Sequence, residues 1–235
     1  MCRLLTDAES KAIEELAKTG DKLIGLARSM GVFISSLTKG SIEEGIGIFE
    51  DKLKYLRWER QVRLVKRANE YIKESGLSGV ERALPLKFAI PLLQGASLED
   101  DDYLQDKWAQ LLANSVIRNG IEIKRVYIDI LERLSPLEVR IIEKVYGSFS
   151  FDELQNKTLL THKLPEAIEI QDEARREPAQ NDPEIQLALV NLSRIGCISL
   201  TKSIGGSEFY SMIHSTLLGK YFYDACTISK PTLIA

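Results

Sequence analysis

"PEIQLALVNLSRIGCISLTKSIGGSEFYSMIHSTLLGKYFYDAC", Pro183–Cys226, changes its hydrophobic period twice. Ile185, Ala188, Leu189, Leu192 and Ile195 recur at helical spacing. "CISLTKS" alternates as a strand does, Gly205–Gly206 is a tight-turn pair, and "EFYSMI" is a second strand. "LLGKYFYDAC" returns to a helix. Immediately upstream, "SPLEVRIIEKVYG" offers Ser135 as a cap, Pro136 at the first helical position and Gly147 as the stop. "FSFDELQNK" offers a further short helix. Three helices, a two-stranded hairpin and a helix follow the order of a winged helix. Residues 135–228 are therefore expected to form a winged-helix-like α+β domain. A polar, proline-bearing insertion at about 163–183 is expected to be mobile, and 229–235 reads as a tail.

The chain ahead of residue 135 reads as helical, so the expected fold is mainly α, with a helical domain over 1–134. "TDAE" (Thr6–Glu9) and Ser41 with Glu44 are capping boxes. From about 41 to 75 runs the longest periodic segment. Tyr55, Trp58, Val62, Val65, Asn69 and Ile72 recur at steps of three and four, a seam that packs on the chain's own helices or on a partner copy. "ALPLKFAIPLLQGAS" follows, where Pro85 suits a helix start and Pro91 is expected to kink or split the element. In "ASLEDDDYLQDKWAQLLANSV" (Ala96–Val116), Leu104, Trp108, Leu111, Leu112 and Val116 share one helical face.

The acids Glu99, Asp102 and Asp106 in that stretch invite a divalent cation, and "DDYLQD" resembles the aspartate-rich box of prenyl-transferring enzymes. A hard cation needs oxygens converging from more than one element, and no second acidic helix is evident. The favoured reading is a helix start, with Ser97 as cap and carboxylates meeting the free amides of the first turn. His162 and His214 have no nucleophile or acid assigned to them by motif, and "GIGIFE" lacks the spacing of a phosphate loop. Cys2, Cys197 and Cys226 form no CxxC pair and read as reduced thiols, Cys197 as a buried small hydrophobe. No catalytic residue, metal site, cofactor or small-molecule substrate is expected, and the protein is read as non-enzymatic and cytoplasmic.

Charge is segregated. The chain is net −3, yet Lys52–Lys73 holds eight Lys/Arg against two acids, net +6. Arg57, Arg60, Arg63, Lys66 and Arg67 are the residues with which this helix would meet a partner or follow a phosphate backbone. The favoured alternative is that they pair with the acidic remainder. Residues 135–227 are net −4, and the third helix of the presumed wing domain offers only Gln186, Asn191 and Arg194 as polar probes. A DNA-reading module should supply several cations, so a protein-contact role is preferred. The apolar stretch Leu23–Leu37 is 15 residues long and carries Arg28, short of the roughly 20 residues of a spanning helix. Residues 23–49 leave a membrane-active role as the least favoured alternative.

Several of these stretches resemble the Abi-alpha (abortive infection alpha) family of bacterial proteins. "ALPLKFAIPLLQGASLEDDDYLQDKWAQLLANSV", about 84–116, is similar to its proline-bearing helix and its "aSLEd…LqdlWanLLAna" segment, through Ser97, Glu99, Asp100, Trp108 and Asn114. "ILERLSPLEVRIIEKV" resembles an "iLkqLsplD" element, with Glu138 at the acid. "LVNLSRIGCISL" resembles "L.NL.rLGLI", and "LLGKYFYDAC" resembles "LT.lG..F..aC". The resemblance implies a role in phage defence, by growth arrest or death of the infected host, and supplies no catalytic residues. The expected function is a non-enzymatic defence protein acting through a protein partner or self-association. A nucleic-acid-binding regulator using residues 52–73 is the alternative.

Overall fold

The computed structural model of the chain describes residues 47–74, 84–117, 122–155, 157–171, 181–203, 205–206 and 208–228, with side chains of the first helix from Arg57 onward. Both expected capping boxes, most of the 23–49 stretch and the 229–235 tail lie outside the described residues. The described chain is mainly helical, with one small antiparallel sheet. It divides into two compact units between Glu122 and Ile123, ahead of the boundary read at residue 134.

The first unit contains α1 (Gly47–Glu74), α2 (Leu86–Leu98) and α3 (Asp102–Val116). Helix α1 packs on both α2 and α3. Its buried face is Gln61, Leu64, Val65, Ala68, Asn69 and Ile72, whereas Trp58 and Val62 are half-buried. The buried face is thus rotated from the seam read in the sequence: Val65, Asn69 and Ile72 belong to both, and Gln61, Leu64 and Ala68 join them from one flank. Helix α2 runs unbroken through Pro91, and Pro85 stands at its N-cap position. Pro91 does not split it: a proline in the second turn lacks only one amide hydrogen bond, and its ring is buried. Trp108, Leu111 and Leu112 are fully buried, as their shared face required.

The second unit contains α4 (Arg125–Leu131), α5 (Pro136–Gly147), α6 (Phe151–Leu154), β1 (Leu159–Leu160), β2 (Glu169–Ile170), α7 (Pro183–Arg194), β3 (Ile198–Lys202), β4 (Glu208–Ser215) and α8 (Leu217–Ala225). The sheet order is β2-β1-β4-β3, antiparallel throughout. Ser135 caps α5 with Pro136 behind it, and Ser150 caps α6 in the same reciprocal way with Glu153. These bonds to Ser150 hold the Glu153 carboxyl below its usual range. Gly147 is the last residue of α5, and Ser148 takes the C-cap position.

Two strands were not foreseen. β1 and β2 are two residues each, too short to display alternation, and β2 lies inside the expected polar insertion. There Leu164 and Ile168 are buried, and Lys163 pairs with Glu169 at 2.5 Å. Residues 163–171 are therefore packed structure. Residues 172–180 lie outside the described residues.

Candidate protein-contact site

The acidic stretch serves the junction of α2 and α3. Ser97, expected as the cap, is instead in the last turn of α2 and donates to Gln94 O at 2.7 Å. Asp101 caps α3, accepting from the amides of Tyr103 and Leu104 at 3.0 Å. Glu99 Oε1 accepts from the amides of Asp100 and Asp101, at 3.1 and 3.0 Å. Gln105 closes the corner by donating from Nε2 to Ala96 O and Glu99 O, at 2.6 and 2.8 Å. The cap falls four residues later than read because Leu98 continues α2, leaving only Glu99–Asp101 to turn the chain.

The basic helix meets these same acids. Arg60 donates to the carbonyls of Ser97 and Leu98, at 3.4 and 3.3 Å, at the C-terminal end of α2. A guanidinium there complements the free carbonyls and the negative end of the helix dipole. Arg63 pairs with Asp102 at 3.1 Å, and Arg67 spans Asp102 at 3.5 Å and Asp106 at 3.0 Å. Arg57 and Lys66 are exposed. Tyr71 lies near Asp106 and Gln110, and burial raises its phenol above the ordinary value. Three of the five basic residues singled out are therefore engaged within the unit. Trp108 is buried in its core, and Asn114 is half-buried on α3. Of the acids read as metal-ligand candidates, Glu99 turns the chain, and Asp102 and Asp106 pair with arginine. No group of three or more His, Cys, Asp or Glu side chains converges as a metal set among the described residues.

In the second unit the motif residues meet around α5, α7 and α8. Glu138 is buried on α5; its Oε2 accepts from Ser135 N at 2.6 Å, and its Oε1 accepts from Asn191 Nδ2 at 2.6 Å. Asn191 also donates to Arg133 O at 3.3 Å. Tyr146 Oη donates to Cys197 O at 2.6 Å and accepts from Thr216 N at 2.9 Å. Burial pushes the Tyr146 phenol above its usual value, and burial with the nearby Glu138 charge pushes the Cys197 thiol up to about 12. Thr216 caps α8 and donates to Gly196 O at 2.7 Å; Gly196 holds φ +80°, which its missing side chain permits. A Cβ on Gly219 would lie 2.0 Å from Cys197 O and 2.3 Å from Tyr146 Oη, so only glycine fits.

The histidines take structural places. His214 lies within β4, with Nε2 3.3 Å from Thr201 Oγ1 and Nδ1 3.1 Å from Lys157 O. His162 Nε2 is 3.8 Å from Glu169.

An open groove of about 1250 Å³ runs along α7, walled by the start of α5 and by Leu164–Glu166. Two of the three polar probes of α7 are turned to the unit itself, Gln186 donating to Asn181 O and Asn191 to Glu138, whereas Arg194 stays exposed and donates to Asn191 Oδ1 on its own helix. What α7 presents outward is Leu187, 70% exposed, and Val190, with Glu184 and Arg194 at either end. The sequence did contain this signal. Leu187 and Val190 fall on the face opposite Ile185, Ala188, Leu189 and Leu192, so α7 is apolar on both sides.

The second unit thus carries an open groove beside an apolar helix face. The family profile described as abortive infection alpha matches residues 59–226, and the chain belongs to that family. No curated protein and no solved structure matches it. No helix among the described residues is long and apolar enough to cross a membrane.

Proposed function

We propose that this protein is a non-enzymatic phage-defence factor of the bacterial cytoplasm that acts by binding another protein chain through the α7 groove. The second unit is read as winged-helix-like: α5, α6 and α7 precede the β3–β4 hairpin, and β1 adds antiparallel to β4. The observation that carries the protein-contact reading is the inverted use of α7. Its central polar side chains, Gln186 and Asn191, are spent on internal bonds, whereas Leu187 and Val190 face outward between exposed Glu184 and Arg194. A helix reading nucleic acid needs outward donors and neighbouring cations. The groove is larger than the roughly 300–1,000 Å³ typical of small-molecule sites and suits a chain segment instead.

The test is protection of a bacterial host. Cells carrying the wild-type protein should survive as a population under phage challenge, and cells carrying Leu187→Asp at equal protein level should not. Full protection by Leu187→Asp would overturn the groove reading. Loss of protection on reversing Arg57 and Lys66, with Leu187→Asp still protecting, would favour the nucleic-acid alternative.

A further inference from the structure

Resting on the reading of the α7 face as a protein-contact surface, we infer that its partner is α7 of a second copy of this chain, lying antiparallel in the groove. The inference comes from the order of side chains along the exposed face. Glu184, Leu187, Val190, Asn191 and Arg194 lie within an arc of about 120° at 3.6 residues per turn. The acid stands in the first turn and the base in the last, with the apolar pair between them.

Such a face is complementary to itself under a two-fold axis. With the axis near residue 189, Glu184 of each copy meets Arg194 of the other, and Leu187 meets Val190. Each helix dipole also runs against its neighbour's. Within one chain Glu184 and Arg194 sit at the dipole-favoured ends of α7. That accounts for the charges but leaves Leu187 and Val190 uncovered; the second copy covers them. Other charges at the groove do not spoil the polarity. Asp182 reinforces the acidic end, although its carboxylate also accepts from Glu184 N. Exposed Glu132, Arg133, Arg140 and Glu166 are two acids and two bases and add no net charge to the lining. Asn191 is committed to Glu138 and stays as a spacer. The walls, Pro136 and Leu137 on one side and Leu164–Pro165 on the other, are half-buried or buried apolar groups able to flank an incoming helix.

The experiment measures the mass of the full-length purified chain by analytical ultracentrifugation over a concentration series, with native mass spectrometry of mixtures. The wild type should dimerise reversibly. Glu184→Arg and Arg194→Glu should each weaken the dimer at least roughly tenfold, because each places like charges opposite one another twice. Mixed in equal amounts, the two variants should recover a heterodimer of near wild-type affinity, since every opposed pair is again of opposite sign. Leu187→Asp should yield monomer. Unchanged circular dichroism and a single cooperative urea transition will show that these exposed substitutions leave the fold intact.

A wild type that stays monomeric overturns the inference, as does a dimer indifferent to all three substitutions. Weakened single variants whose mixture fails to recover overturn the antiparallel arrangement. The outcome is separable from the defence assay. A monomeric wild type whose protection still depends on Leu187 leaves the protein-contact reading standing with a different partner.

Discussion

Asn191 Nδ2 lies 2.6 Å from Glu138 Oε1 and ties α7 to the first turn of α5. Glu138 is 6% exposed, so its charge depends on Asn191 and Ser135 for solvation. Removing one partner of a buried charged acceptor leaves the other undersolvated. Asn191→Ala is expected to lower the stability of the second unit by about 1–3 kcal/mol in urea unfolding. Asn191→Asp should cost more at neutral pH, because it sets a second carboxylate against the first.

Gly219 marks where α8 closes on the rest of its unit. Its Cβ position is occupied by Cys197 O and Tyr146 Oη, a backbone atom and a buried hydroxyl that itself holds Cys197 and Thr216. Neither can give way without breaking those bonds. Gly219→Ala should therefore exceed the roughly 1–3 kcal/mol of ordinary overpacking and yield a chain whose 123–228 unit does not fold cooperatively. Amide exchange across β3 and α8 would report it. Tyr146→Phe, which removes one hydroxyl, should be milder.

At the α2–α3 corner, the cap and the ion pairs are expected to differ in weight. Asp101→Ala removes the acceptor for two amides and should cost about 0.5–2 kcal/mol. Arg67→Ala should cost about 1 kcal/mol or less, because its partners Asp102 and Asp106 are 72% and 37% exposed and water screens both pairs. Trp108→Ala should cost about 3–5 kcal/mol through the cavity it opens. Thermal unfolding of the three variants should rank Trp108→Ala most severe, then Asp101→Ala, then Arg67→Ala, and a dominant effect of Arg67 would contradict it.

How far these elements were legible follows from their length and periodicity. Ser135–Pro136 and the three- and four-residue spacing in α5 and α7 are local signals, and both helices lie where they indicate. β1 exists because Met212 and Ile213 of β4 pair with Leu160 and Leu159, and β2 pairs in turn on β1, which no two-residue stretch announces. The Ser97 cap failed for a similar reason: Leu98 could continue α2 or begin the turn, and packing of α2 on α1 and α3 decided it. The pairing of the basic helix with Asp102 and Asp106 was inferable from charge segregation, although its register was not. The α7 groove was visible only as excess apolar residues, because the engagement of Asn191 with Glu138, 53 residues away, is a tertiary fact.

Alkaline pH offers a last test, centred on Cys197. Its thiol is buried, and burial raises it from 9.0 to about 12. A thiol raised in the folded state keeps its proton there while the unfolded chain loses its own. The stability this group contributes is complete below pH 9 and is lost as pH rises toward 12. Tyr146, raised in the same sense from 10.0, adds to the loss above pH 10. Between pH 8 and pH 10 the Cys197 contribution should fall by about 1 kcal/mol. Cys197→Ala should start from a lower stability, because a sulfur is removed from a filled core, yet lose less over that interval. Urea midpoints of the two proteins at pH 8 and pH 10 measure the difference. Equal slopes would mean that Cys197 ionises as readily in the folded protein as in the unfolded chain, and that the core between α5 and α8 admits water.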